Sequence, residues 1–110
     1  MATTPSSQRF LTIERNDSAD GTPTLICKGR INLESANAFR AEVKSLSSTH
    51  SKVFADLSGV EAVDSSGLGS VLGTYVSAKN DGCELVLINV HPRVKDLLNI
   101  TKLTSVLAVQ

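Results

Sequence analysis

Along this chain the apolar side chains recur with two periods, and the switches between them outline the elements. Phe10-Leu11-Thr12-Ile13 and Thr24-Leu25-Ile26-Cys27 are short runs rich in β-formers, separated by the turn-rich stretch Asn16 to Gly21. They predict an antiparallel hairpin. After Gly29, the three-and-four spacing of Ala36, Phe39, Val43 and Leu46 predicts a first helix, capped by Asn32 and running to about Ser48. Lys52 to Leu57 reads as a short strand covered on both faces, ended by Ser58-Gly59, and Val60 to Asp64 as a loop. A second helix is expected from about Ser66 to Asn80, stopped by Gly82, followed by a central strand from Cys83 to Ile88. His91-Pro92 opens a third helix with Val94, Leu97, Leu98 and Leu103 inward, and Val106 to Val109 can form a last strand.

Strand alternating with helix implies right-handed βαβ crossovers. The expected fold class is therefore α/β: a mixed, mostly parallel sheet with an N-terminal antiparallel hairpin and helices packed on it. The length of 110 residues suits one domain, expected over residues 8–110 behind a small, polar and disordered start at residues 1–7.

Charge and composition narrow the function. Eleven Lys and Arg balance eleven Asp and Glu, so no global field steers the chain to nucleic acid or an anionic membrane. No apolar run has the length of a membrane span, and the first residues lack the features of a secretion signal. Cys27 and Cys83 sit in apolar runs and read as free structural thiols of a reducing, cytoplasmic compartment. A nucleophile elbow needs glycine two residues before its serine, where Ser66 has Asp64 and Ser65 has Val63. No Walker-type phosphate loop occurs, and His50 and His91 read as solvated or capping groups. The expectation is no catalysis, no cofactor and no metal.

What stands out is Asp64-Ser65-Ser66-Gly67-Leu68-Gly69-Ser70, at the junction of a strand and the second helix. On a helical wheel, Leu68, Val71, Leu72, Tyr75 and Val76 fall on one side and are expected to pack on the sheet. Ser66, Gly69, Ser70, Gly73 and Ser77 fall on the other. Interior helix glycines cost about 0.5–1 kcal/mol each relative to alanine, so such a small face suggests close approach by another backbone. At the helix start, unpaired N–H groups and the macrodipole favour an anion. Ser65 is expected as N-cap and Ser66 as the first helical residue, with Asp64 ordering a hydroxyl or the turn's N–H groups. A phosphate there adds about −1.5 to −2 charges, which the helix end tolerates and a closely packed partner rejects. The same run is also an ordinary capping arrangement, and the wheel alone does not choose between Ser65 and Ser66 as an acceptor.

The run Val53 to Val60, followed by Val63-Asp64-Ser65-Ser66-Gly67-Leu68-Gly69, resembles the signature of STAS domains, in particular the bacterial anti-sigma factor antagonists. The resemblance implies a non-catalytic binding module. It implies that the unphosphorylated form binds an anti-sigma factor serine kinase and so releases a sigma factor. It further implies inactivation by phosphorylation on Ser66, the second serine of the motif, and reactivation by a PP2C-type phosphatase. The partner-binding residues it implies are Asn32, Asp64, Ser65, Ser66, Gly67, Gly69, Ser70 and Gly73. Asn32 stands where the family usually has aspartate: it caps equally well but lacks the charge. The chain also stops at Gln110, where relatives commonly continue into another helix. The alternative implied reading is a non-catalytic STAS scaffold or adaptor subunit of a stress-signalling or transport assembly.

Overall fold

The computed structural model describes residues 6–7, as backbone, and residues 10–110. The frayed start expected over residues 1–7 lies outside the described residues except at Ser6–Ser7, which form a short strand, β1, antiparallel to the next. The elements then run β2 (Leu11–Asp17), β3 (Pro23–Ile31), α1 (Ala36–Ser47), β4 (Lys52–Val63), α2 (Ser65–Asn80), β5 (Glu84–Ile88), α3 (Pro92–Ile100), a 3-10 turn (Leu103–Ser105) and β6 (Ala108–Val109). The sheet has six strands in the order β1-β2-β3-β4-β5-β6. The β1–β2 and β2–β3 pairs are antiparallel, and the remaining three pairs are parallel. This is the mixed α/β sheet with an N-terminal hairpin that the alternating periods predict.

Sequential strand order has a geometric corollary. Three successive right-handed crossovers, each stepping one strand further in the same direction, put α1, α2 and α3 on one face of the sheet. The core lies between that face and the helices: Leu11 and Ile13 from β2, Leu25 and Cys27 from β3, Val53, Ala55 and Leu57 from β4, Leu85 and Leu87 from β5, against Phe39, Val43, Val71, Ala78, Val94 and Leu98. The expectation that Lys52 to Leu57 is covered on both faces is corrected here. Val53, Ala55 and Leu57 are buried while Phe54 and Asp56 are half-buried, the alternation of a strand with one covered side.

The Ser58-Gly59 break is also corrected: β4 continues through it to Val63. The register against β3 steps from Ile26↔Asp56 to Lys28↔Gly59, and from Gly29↔Val60 to Arg30↔Ala62, so β4 carries an extra residue at each of two bulges. The first is held locally, since Asp56 Oδ1 accepts from the N–H and hydroxyl of Ser58 at 2.9 and 2.7 Å. Ser-Gly reads as a turn in isolation, yet pairing with the nine-residue β3 keeps the strand going. The long β4 therefore delivers its last residue, Val63, beside Ile31 at the end of β3.

Candidate functional site

Two chain segments leave the sheet together there, at the C-terminal ends of β3 and β4. Asp64 follows Val63 in extended conformation, its N–H reaching the Ile31 carbonyl at 3.3 Å. Its carboxylate turns back and accepts from the Gly67 N–H at 2.7 Å, while its own carbonyl accepts from Leu68 N–H at 2.8 Å. Asp64 is thus the N-cap, which corrects the expectation for Ser65 by one position. Ser65 and Ser66 are the first and second helical residues. The shift has a tertiary cause: Asp, Ser and Ser can all cap, and the choice falls to the residue at which pairing with Ile31 fixes an extended backbone.

Gly67 faces inward, buried on the end of β3. A Cβ on Gly67 would lie 2.1 Å from the carbonyl oxygen of Ile31, a backbone atom with no freedom to retreat. The helix start is therefore pressed on the sheet, and its next residues are turned outward. Ser65 and Ser66 are exposed, and neither hydroxyl has a hydrogen-bond partner among the described residues. Gly69 and Gly73 are exposed, and a Cβ on either would meet nothing within 4 Å.

The expected division of the wheel is rotated. The buried stripe of α2 is Gly67, Val71, Thr74 and Ala78, whereas Leu68, Leu72 and Tyr75 are half-buried and Val76 is 48% exposed. Thr74 satisfies its hydroxyl on the Ser70 carbonyl at 2.7 Å, so it can lie in the interior. Thr74, Ser77 and Ala78 line a narrow groove with Arg40, Val43, Lys44 and Ser47 of α1. Small residues thus let α1 sit close, while the outward stripe Ser66, Gly69, Gly73 and Val76 remains uncovered.

The second segment is the turn from β3 into α1. Asn32 Oδ1 accepts from the N–H groups of Glu34 and Ser35, both at 3.0 Å. Ser35 reciprocates: its Oγ accepts from Asn32 N–H at 2.9 Å and donates to the Arg30 carbonyl at 2.7 Å. This is a capping box with serine in the place of the usual Glu, closing the turn 32–35; the regular helix begins three residues later than expected, with Ser35 as its N-cap and Asn32 capping the turn that leads into it. Because Ile31 is the common contact of Asp64 and Gly67, Asn32 and Asp64 to Gly67 adjoin at the C-terminal ends of the two central strands, β3 and β4. Sequence reasoning does not single out Leu33, which rides on this turn and is 74% exposed. An apolar residue between a cap and a glutamate is its one sequence signal. Among the described residues no group of three or more His, Cys, Asp or Glu is placed to hold a metal. A shallow cavity of about 290 Å³, lined by Ser51, Tyr75, Lys79, Gly82, Cys83 and Glu84, lies toward the other end of α2.

The profile of the STAS domain family matches residues 13–110, which takes in both segments. The chain belongs to the STAS domain family. A candidate anti-sigma factor antagonist of Thermotoga maritima is 27% identical to this STAS domain over 92 residues, covering 82% of this chain and 81% of that one. Among solved structures, an anti-sigma factor antagonist from Mycobacterium paratuberculosis superposes with a TM-score of 0.77 at 21% identity, covering 94% of this chain and 88% of that one. The phosphorylated form of the Bacillus cell fate determinant SpoIIAA superposes with a TM-score of 0.65 at 16% identity, covering 89% and 90%. At these identities the two structures establish the fold of this STAS domain. No helix among its described residues is long and apolar enough to cross a membrane.

Proposed function

We propose that this STAS domain, taken as residues 8–110, is a cytoplasmic anti-sigma factor antagonist. It binds an anti-sigma factor serine kinase while Ser66 is unmodified, releases the sigma factor that the kinase holds, and is inactivated when the kinase phosphorylates Ser66. A PP2C-type phosphatase hydrolyses the phosphoserine and restores the binding form. The module has no catalysis of its own. Naming of relatives as anti-sigma factor antagonists supports the class of partner.

The observation that carries this reading is the exposed, unengaged hydroxyl of Ser66 at the start of a helix whose outward stripe has no side chain at Gly69 or Gly73. A partner can come close enough along that stripe to read a single hydroxyl. The serine Oγ bonds to the γ-phosphorus of ATP as the bond to the β,γ-bridging oxygen breaks and ADP leaves, and the hydroxyl proton goes to a base of the kinase. The product carries about −1.5 to −2 charges close to the Asp64 carboxylate, at a surface a partner had contacted in neutral form. Asp64 and Ser65 shape the turn, and Asn32, Gly67, Ser70 and Gly73 complete the contact region.

The test is phosphopeptide mapping after incubation with an anti-sigma factor kinase of the same organism and ATP. Ser66→Ala is expected to abolish incorporation with an unchanged thermal melt, and Ser66→Asp to weaken kinase binding about tenfold or more. Phosphate on Ser65 alone, or none with a demonstrably active kinase, overturns the assignment.

A further inference from the structure

We propose that Leu33 is the apolar anchor of the same interface, supplying affinity that Ser66 then permits or vetoes. This rests on the reading of the domain as the partner of an anti-sigma factor kinase, and it adds the residue that binds to the residue that switches. Among the described residues four large apolar side chains are exposed: Leu33, Val76, Ile100 and Val106. A single exposed apolar side chain means little by itself. Leu33 differs in how it is held and where.

It sits at the centre of the capping box, between Asn32 and the Glu34 and Ser35 N–H groups that Asn32 binds, with Ser35 tied back to Arg30. The turn is thus pinned at both ends by four hydrogen bonds, so little backbone freedom is lost when a partner covers the side chain. Ile31, whose carbonyl touches the α2 start, is two residues away, and two residues span at most about 7 Å. Leu33 therefore rides on the turn that adjoins the start of α2. The outward face of α2 then runs through Gly69 and Gly73 to Val76, 48% exposed. A rigid apolar knob next to a bare helix stripe suits a partner with an apolar socket beside the cleft that admits the serine. Anchors of this kind, buried near the centre of an interface, carry most of its binding free energy.

The kinase of the same organism, purified and bound to ADP, is the probe, with binding read by calorimetry and phosphate transfer to Ser66 by initial rates. Leu33→Ala is expected to weaken binding about tenfold to a hundredfold and to raise KM for phosphorylation by a similar factor while kcat is unchanged. Leu33→Met restores most of the affinity. Ile100→Ala, equally exposed at the end of α3, leaves it unchanged. Binding by Leu33→Ala within twofold of the wild type, with Ser66→Asp still defective, overturns the anchor and leaves the switch intact. Absence of binding by the unmodified wild-type domain overturns both.

Discussion

Three glycines within seven residues of one helix do different work. Gly67 is required by the Ile31 carbonyl 2.1 Å from its missing Cβ, while Gly69 and Gly73 border open space. Gly67→Ala is expected to destabilise the domain by about 1–3 kcal/mol, read as a lower urea midpoint. Gly69→Ala and Gly73→Ala should instead raise the melting temperature by a few degrees, because alanine is the better helix former by about 0.5–1 kcal/mol. If the bare stripe serves a partner, the same two substitutions reduce kinase binding, a gain in stability set against a loss of affinity. The sequence wheel sets Gly69 and Gly73 on the small face but gives Gly67 no role, since its reason is a contact with β3 that no wheel contains. The cap shows a related limit: Asp64 and Ser65 are both residue types that cap helices, and the contact with Ile31 decides for Asp64.

At the next level up, the elements were legible where local signals agreed and misread where a neighbour overrode them. The three helices and the N-terminal hairpin follow from spacing and turn residues. The β4 strand does not, because Ser58-Gly59 reads as a turn until β3 is seen to go on pairing past it, from Lys28↔Gly59 to Ile31↔Val63, with Asp56 stabilising the first bulge. Burial works against the Asp56 carboxyl, but hydrogen bonds from Ser58 and Asn89 hold it below the ordinary range. The inward stripe of α2 is likewise decided by α1. These two helices are clasped at their C-terminal ends, where Lys44 Nζ and Ser47 Oγ meet Asp81 Oδ2 at 2.9 and 2.7 Å. The hydrogen bonds from Lys44 and Ser47 keep the Asp81 carboxyl below its usual pKa of 3.8. A carboxyl depressed in the folded state stabilises fully above the unfolded value and loses that contribution as pH falls through the folded one. Urea midpoints of the wild type are therefore expected to exceed those of Asp81→Asn near neutral pH. The two should converge once the pH drops below the lowered Asp81 value.

For the domain taken together, the sequential sheet order explains why one face carries all three helices and why β4 alternates instead of being buried throughout. A continuous run such as Val53-Phe54-Ala55 cannot reveal this, because sidedness belongs to the topology and not to the strand. Cys27 and Cys83 are free and buried as the sequence suggested, and burial pushes the Cys27 thiol up to about 12. Its thiolate is thus scarce at neutral pH, and access requires opening of the core. With Cys83, which lines the shallow cavity beside α2, replaced by serine, labelling of the Cys27 thiol by a disulfide reagent should track the unfolding equilibrium across a urea titration. Fast reaction of Cys27 in the native state contradicts a core packed around it.

The contact between Gly67 and the Ile31 carbonyl bears on how information could leave this molecule. With the helix start seated directly on backbone, a phosphate on Ser66 has no soft element beneath it to push. The message is then a mark written on a fixed surface and not a movement relayed through the fold. Amide chemical-shift changes on phosphorylation should accordingly stay within the turn around Asn32 and the first turns of α2. A domain of this design can acquire new listeners by changing its surface, with its interior left alone.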